Sequence, residues 1–147
     1  MWSLMRASHS RDTGPERARS MARALAPRFG LGEDDAARAA DAAARALSLP
    51  VMERARRSRH LWRELPVWFP EEGDLVEGVV DLVFEEEGGL VVVDYKTDRI
   101  APEQALAQAA HHAPPLQLYG RGLAQATGLR VKERLVLFTA LGQVVAV

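Results

Sequence analysis

The chain predicts an α/β (α+β) fold in a single domain, running helices, a strand hairpin, a helical stretch and closing strands. Three observations carry this reading. Apolar residues recur at helical spacing through the first third of the chain. Two β-branched runs, 75–84 and 90–97, flank Glu87-Gly88-Gly89, a hairpin signal. An Ala-rich stretch opened by Pro102 then separates that hairpin from two further β-branched runs. At 147 residues and 48% hydrophobic, the chain can build a core and is too apolar for a disordered tail.

Residues 1–15 have no periodicity and end in the breaker cluster Asp12-Thr13-Gly14-Pro15. Ala18, Met21, Ala22 and Leu25 predict a helix over 16–28, stopped near Gly30. A second helix is expected over 33–47, opened by Glu33-Asp34-Asp35 and stopped before Pro50. A short, Arg-rich third runs from Pro50 to about Ser58. The texture changes at His60, dividing an N-terminal helical part, 1–59, from a core, 60–147, within one domain. Residues 61–69 read as a strand with Pro66 inside it, which belongs at a sheet edge or a bulge. After the hairpin come a helix from Pro102 to about Ala110, an interruption at Pro114-Pro115, and a helix from Leu116 to Thr127 that Gly128 caps. Residues 131–139 and 144–147 are expected as strands, with Gly142 in the turn between them.

Composition narrows the chemistry. There is no cysteine, so disulfides, zinc–thiolate sites and thiol catalysis are excluded. No run of 18 apolar residues and no signal-peptide pattern occurs, so a cytoplasmic protein without a membrane partner is expected. No G-x-x-x-x-G-K-[ST] loop is present, so this chain does not bind ATP through a Walker motif. Net charge is −1, but residues 1–63 hold 13 Arg against 7 acids, and 64–147 hold 6 basic residues against 13 acids. That asymmetry fits a polyanion-binding wall beside a carboxylate site; an arginine-rich solvated helical face fits it as well.

The informative residues are Glu77-Gly78-Val79-Val80-Asp81 and Val93-Asp94-Tyr95-Lys96-Thr97-Asp98. Strand alternation puts Val92, Asp94, Lys96 and Asp98 on one face, and Glu77, Val79, Asp81 and Val83 on one face of the partner strand. One side of the hairpin is thus expected to be apolar and the other charged. A loop centred on Glu87-Gly88 pairs residues whose numbers sum to 175, which sets Asp81 opposite Asp94. Like charges in direct opposition destabilise a sheet unless a cation lies between them. Oxygen ligands without nearby His or Cys favour a hard cation, Mg²⁺ or Mn²⁺. Lys96, one of only two lysines against 17 arginines, would orient water or neutralise developing charge. The competing reading is an exposed ion network on a surface hairpin, worth little energy.

Gly78-Val79-Val80-Asp81 followed by Asp94-Tyr95-Lys96-Thr97-Asp98 resembles the RecB-type branch of the PD-(D/E)-x-K nucleases. Within it, the chain resembles the C-terminal nuclease domain of AddA-type helicase–nucleases. Arg63-Glu64-Leu65-Pro66-Val67 matches the strand that precedes the hairpin in that family, and the likeness is strongest over 62–126. The resemblance implies a restriction-endonuclease-like mixed central sheet flanked by helices, with an N-terminal helical segment. It implies Mg²⁺- or Mn²⁺-dependent cleavage of DNA, as a single-strand exonuclease in double-strand-break repair and recombination. The implied partners are DNA and a helicase domain or second helicase–nuclease subunit. Asp81, Asp94 and the Tyr95 carbonyl are the implied metal ligands and Lys96 the catalytic lysine. His9 is the candidate for the family's histidine ligand, although Arg6-Ala7-Ser8-His9 lacks the R-G-x-x-H glycine and spacing. The family also places a Gln four residues before a helical Tyr. Tyr119 fits, but Pro115 holds the Gln position, and Gln117 lies about 200° around the helix from Tyr119. These departures leave a second reading open, a catalytically degenerate remnant that binds DNA or a helicase.

Other residues carry weaker expectations. Glu64 reads as an additional acid near the metal or an ordinary edge-strand charge. Arg54, Arg56, Arg57 and Arg59 read as a phosphate track or a solvated face. His60 reads as structural or exposed, Trp62 and Trp68 as core or interface. His111 and His112 fit a helix end, where imidazolium favours the dipole. Glu77 and Asp98 lie toward the far end of the charged face.

Overall fold

The computed structural model describes residues 14–147. Helix α1 covers Pro15–Leu25 and continues as a 3₁₀ turn, Ala26–Phe29, which Gly30 ends in the left-handed region. Helix α2 is Glu33–Leu47 and α3 is Pro50–Arg57. The strands are β1 Leu61–Glu71, β2 Asp74–Glu86, β3 Gly89–Lys96, β4 Arg130–Phe138 and β5 Gln143–Ala146. Helix α4, Ala105–Thr127, joins β3 to β4.

Among the described residues the five strands form one sheet in chain order, β1-β2-β3-β4-β5. All neighbours are antiparallel except β3 and β4. A parallel pair cannot be closed by a tight turn, and α4 supplies the crossover. The mixed sheet flanked by helices is therefore the expected one. Pro66 sits in β1, the edge strand, where a missing N–H costs no ladder bond toward solvent. Both hairpin turns have positive φ at two successive residues, Glu72-Gly73 and Glu87-Gly88, the backbone of a type I′ turn. The second turn fixes the register of β2 and β3: Leu82 faces Val93 and Val83 faces Val92, as the loop-centred count predicts.

Expected and observed structure part at two places. The first is α4, one continuous helix through Pro114-Pro115 rather than two. Each proline removes a donor, leaving the carbonyls of Ala110 and His111 without their helical partners. Ala110, His111 and both prolines are at or near the surface, so water can take those carbonyls, while Ala109 and Leu116 on either side are buried against the sheet. Tertiary packing overrides the local break. His111 and His112 consequently lie inside the helix rather than at its end.

The second concerns the sheet faces. The hairpin has no apolar side and charged side; it is buried on both. Leu90, Val91, Val92 and Val93 are each 0% exposed. Leu90 and Val92 join Val67, Phe69, Val83, Leu116 and Phe138 in one core, with Ala105 and Ala109 of α4. Val91 and Val93 join Leu82, Phe84, Leu135 and Leu137 in the other, roofed by Val51, Met52 and Ala55 of α3. Alternation along β2 also slips. Val80 packs in the same core as Val83, and Leu82 with Phe84 in the opposite one, so the facing reverses around Asp81. On β1, Trp62 and Leu65 pack in one core and the reversal falls between them. Trp62 is thus part of the core, whereas Trp68 is 44% exposed.

Of the arginines on α3, Arg54 ties the helix to the sheet. Arg54 forks between Glu86 on β2 (2.6 and 2.9 Å) and Glu133 on β4 (2.6 and 3.1 Å), with its guanidinium 5.8 Å from the Phe84 ring centre. Arg56 and Arg57 both bind Glu53. Arg54 is thus committed to the fold, while Arg56 and Arg57 pair within their own helix and Arg57 stays largely exposed. His60 is exposed, with Nδ1 2.7 Å from Glu85 Oε2 and its ring stacked on Trp62 at 6.2 Å.

Candidate active site

The ladder between β2 and β3 stops at Leu82–Val93, one rung short of the two aspartates. Beyond it a side chain replaces the backbone: Asp81 Oδ2 accepts a 2.6 Å hydrogen bond from the Tyr95 N–H. The carboxylate of β2 therefore clamps β3 just where the strands part. Asp94 and Lys96 continue β3 past this point, two residues apart and so on one face. Lys96 Nζ lies 2.8 Å from Asp94 Oδ2. The direction of approach is not that of a hydrogen bond, and Asp94 Oδ2 is buried with none. Both partners are about a quarter exposed, so the pair has an opening to solvent.

The electrostatics are those of a site short of positive charge. Burial pushes the Asp81 carboxyl above its ordinary value, against the pull of the Tyr95 N–H. Asp94 and Glu64 push the same way, and Lys96 opposes them. Tyr95 turns its ring to the other face, its hydroxyl 3.8 Å from Met52 Sδ, and burial raises its phenol to about 12. Only its backbone remains at the site.

Tyr119 reaches the sheet from α4. Its ring lies on Gly78: a Cβ on that glycine would stand 2.7 Å from Tyr119 Cε1 and Cζ. The glycine of the Gly78-Val79-Val80-Asp81 motif is thus the seat of the Tyr119 ring, three residues before the clamp. Sequence reasoning missed that role, although a glycine inside a strand is the signal for such a close approach. Gln117 and Pro115 are exposed on α4. Glu64, with φ of 49°, sits in β1 at the rung of Asp81; the pairs Arg63–Leu82 and Leu65–Val80 flank it. Glu77 and Asp98 are exposed, Asp98 beyond the end of β3. His9 lies outside the described residues.

Could these residues hold a divalent cation? Asp81 and Asp94 offer hard oxygen donors, one carboxylate destabilised by burial and the other with an oxygen lacking any hydrogen bond. A cation would relieve both conditions, so the residues fit. Among the described residues, no three His, Asp or Glu side chains converge tightly enough to bind an ion by themselves. Backbone carbonyl, water or a residue outside those described would complete the coordination.

Among the described residues no helix is long and apolar enough to cross a membrane. Comparison with known proteins gives concordant matches. Several relatives bear the name of an ATP-dependent helicase/nuclease subunit. That of Desulforudis audaxviator is 42% identical over 73 residues, or 50% of this chain. That of Carboxydothermus hydrogenoformans is 34% identical over 117 residues, 71% of the chain, and that of Anoxybacillus flavithermus 43% over 65, or 39%. The chain spans only 6%, 10% and 5% of those three proteins. The family model of the PD-(D/E)XK nuclease superfamily matches residues 3–144. With that match covering nearly the whole sequence, the chain belongs to the PD-(D/E)XK nuclease superfamily.

Proposed function

We propose that this chain is a metal-dependent deoxyribonuclease, hydrolysing phosphodiester bonds of single-stranded DNA as the nuclease part of a helicase–nuclease in double-strand-break repair. The observation that carries the reading is the pairing of Asp94, whose Oδ2 has no hydrogen bond, with Lys96 beside a half-buried Asp81, at the point where β2 and β3 part. Asp81, Asp94 and the Tyr95 carbonyl would hold Mg²⁺ or Mn²⁺, which when bound polarises a phosphoryl oxygen and acidifies water. Hydrolysis forms a bond from water oxygen to phosphorus and breaks the bond to the leaving sugar oxygen. Charge builds on the non-bridging oxygens as this happens. Lys96 Nζ answers that charge with an ammonium already held at Asp94. Asp81 keeps β3 in place through the Tyr95 N–H. Tyr119, seated on Gly78, forms a wall for the DNA strand. A helicase domain or second subunit would feed that strand, in the cytoplasm.

Pro115 favours a second reading. It stands exposed one helical turn before Tyr119 and offers no hydrogen-bonding side chain there. A remnant that binds DNA or a helicase without cleaving would result. Cleavage of labelled single-stranded DNA, with Mg²⁺ or EDTA, separates the two when run beside a gel-shift assay. The nuclease reading expects Mg²⁺-dependent cleavage that Lys96→Ala abolishes while DNA binding persists. Cleavage unchanged in Lys96→Ala removes the lysine's role. DNA binding without cleavage by the unaltered chain selects the remnant.

A further inference from the structure

Among the described residues, every large apolar side chain that is exposed, save Leu106, falls in one of two patches. The first is on the β1–β2 ribbon. Past the Leu82–Val93 rung β3 no longer accompanies β2, and β1 and β2 run on as a pair. Val67, Phe69 and Val80 of this ribbon are buried in the core beneath α4. Alternation therefore turns Pro66, Trp68 and Pro70 to the opposite face, where they pair with Val79, Glu77 and Leu75. All six are exposed, and none of 62–81 joins the core roofed by α3. The second patch is on α1. Met21 and Leu25, four residues apart, share a side of the helix, and Phe29 and Leu31 extend the patch through the 3₁₀ turn. Helix α1 buries none of its residues and packs mainly against α2. The described residues thus include a stretch of sheet without a helix and a helix without a sheet. Their charges are opposite. Residues 15–29 hold four arginines and one acid, and the acids that follow, Glu33, Asp34 and Asp35, open α2 beyond the turn. Residues 64–95 hold no Lys, Arg or His, and Glu72, Asp74 and Glu77 stand exposed around the ribbon patch. Such a rim repels a phosphate backbone, which removes DNA as the occupant.

We infer that this chain associates with further copies of itself head to tail, the apolar side of α1 in one copy lying on the β1–β2 ribbon of the next. A helix laid on a sheet is the packing that α3 and α4 already adopt in this molecule. The two surfaces differ, so the contact is heterologous, and each copy carries one of each. The inference is independent of the cleavage reading, since neither patch includes Asp81, Asp94 or Lys96.

Sedimentation velocity of the whole chain over a range of concentrations reads this directly: the mass of the unaltered chain should grow as concentration rises. Phe29→Ser and Trp68→Ser, each at an exposed side chain, should weaken association ~30-fold, the effect of losing an interface hot spot. Mixed together, they should form a one-to-one dimer and stop there, because Trp68→Ser retains the helix surface and Phe29→Ser retains the ribbon. Met21→Ser and Leu75→Ser take their places if either variant melts below the unaltered chain. A mass that stays that of one chain at every concentration overturns the inference and leaves both faces to a partner of another kind. Association that survives in either variant, or a mixture that forms no dimer, overturns it as well, since the contact would then join like patches or lie elsewhere.

Discussion

The two ends of the β2–β3 hairpin carry similar side chains and put them to opposite uses. At the turn end, Glu86 is bound by Arg54 in a fork and approached by Lys132, while Lys132 also holds Glu87 at 2.7 Å. Glu133 takes the other half of Arg54. Arg54 holds the Glu86 carboxyl below its ordinary value. At the open end, Asp81 and Asp94 share a single lysine, Asp94 Oδ2 lacks a hydrogen bond, and burial holds the Asp81 carboxyl above its ordinary value. Carboxylates that serve the fold are saturated with cations; those left hungry are available for a ligand. The carboxyls of Glu86 and Asp81 are displaced in opposite directions, a difference that the number of charges at each end does not reveal.

The contrast is tested most severely by removing one cation from each end. Lys96→Ala should lower the rate of DNA cleavage roughly 100- to 1,000-fold, as loss of a single charge-stabilising donor does. Its urea midpoint should fall by less than that of Arg54→Ala, because Lys96 holds a single carboxylate where Arg54 holds two. The next largest effect concerns packing at the open end. Gly78→Ala forces a methyl into the Tyr119 ring and is expected to cost about 1–3 kcal/mol in urea unfolding. Tyr119→Ala in that background should recover part of the loss, which would show that the ring is what the glycine accommodates. Failure to recover would place the strain in β2 itself.

Arg54→Ala makes the complementary test. It strands Glu86 and Glu133 and removes the guanidinium from Phe84, so stability should fall by about 1–2 kcal/mol after allowance for solvent screening. Cleavage by the folded fraction should be unaltered. A variant that kept its stability and lost activity would mean that the turn end communicates with the site, and the division between the ends would fail.

Much of this was legible in the residues. The hairpin register followed from a two-residue turn, because Glu87-Gly88 permits only one pairing once the strands are recognised. The Asp81–Asp94–Lys96 grouping followed from that register. What escaped were effects that depend on distant parts of the chain. Alternation fails at Asp81 directly across from the left-handed Glu64 of β1, and no rule applied to β2 alone contains that coincidence. Pro114-Pro115 breaks local helix chemistry, yet Leu116 and Ala109 are buried against strands from both sides of the helix in sequence. Arg54 is indistinguishable from its neighbours in sequence. Its role arises because α3 crosses the sheet where β2 and β4 each present a glutamate.

The smallest effect tests the contrast in sign directly. A carboxyl whose pKa is lowered by folding stabilises the native state above its ordinary value and loses that contribution as pH falls through the folded value. Glu86 is of this kind, with an ordinary value of 4.5, so the deficit of Arg54→Ala should be largest at neutral pH and close on acidification below 4.5. A carboxyl whose pKa is raised behaves in reverse: its contribution is complete below the ordinary value, 3.8 for Asp81, and is lost as pH rises through the folded value. At neutral pH the ionised Asp81 therefore costs the metal-free protein stability. Asp81→Asn retains an oxygen to accept the Tyr95 N–H and removes the charge. It should melt slightly higher than the unaltered chain at pH 7 without metal, with the advantage disappearing as pH is lowered toward 3.8. Mn²⁺ should then invert the order, stabilising the unaltered chain by mass action and leaving Asp81→Asn where it was. A variant less stable at pH 7 in the absence of metal would mean that the Asp81 charge serves the fold, as Glu86 does, and that the hairpin has two structural ends.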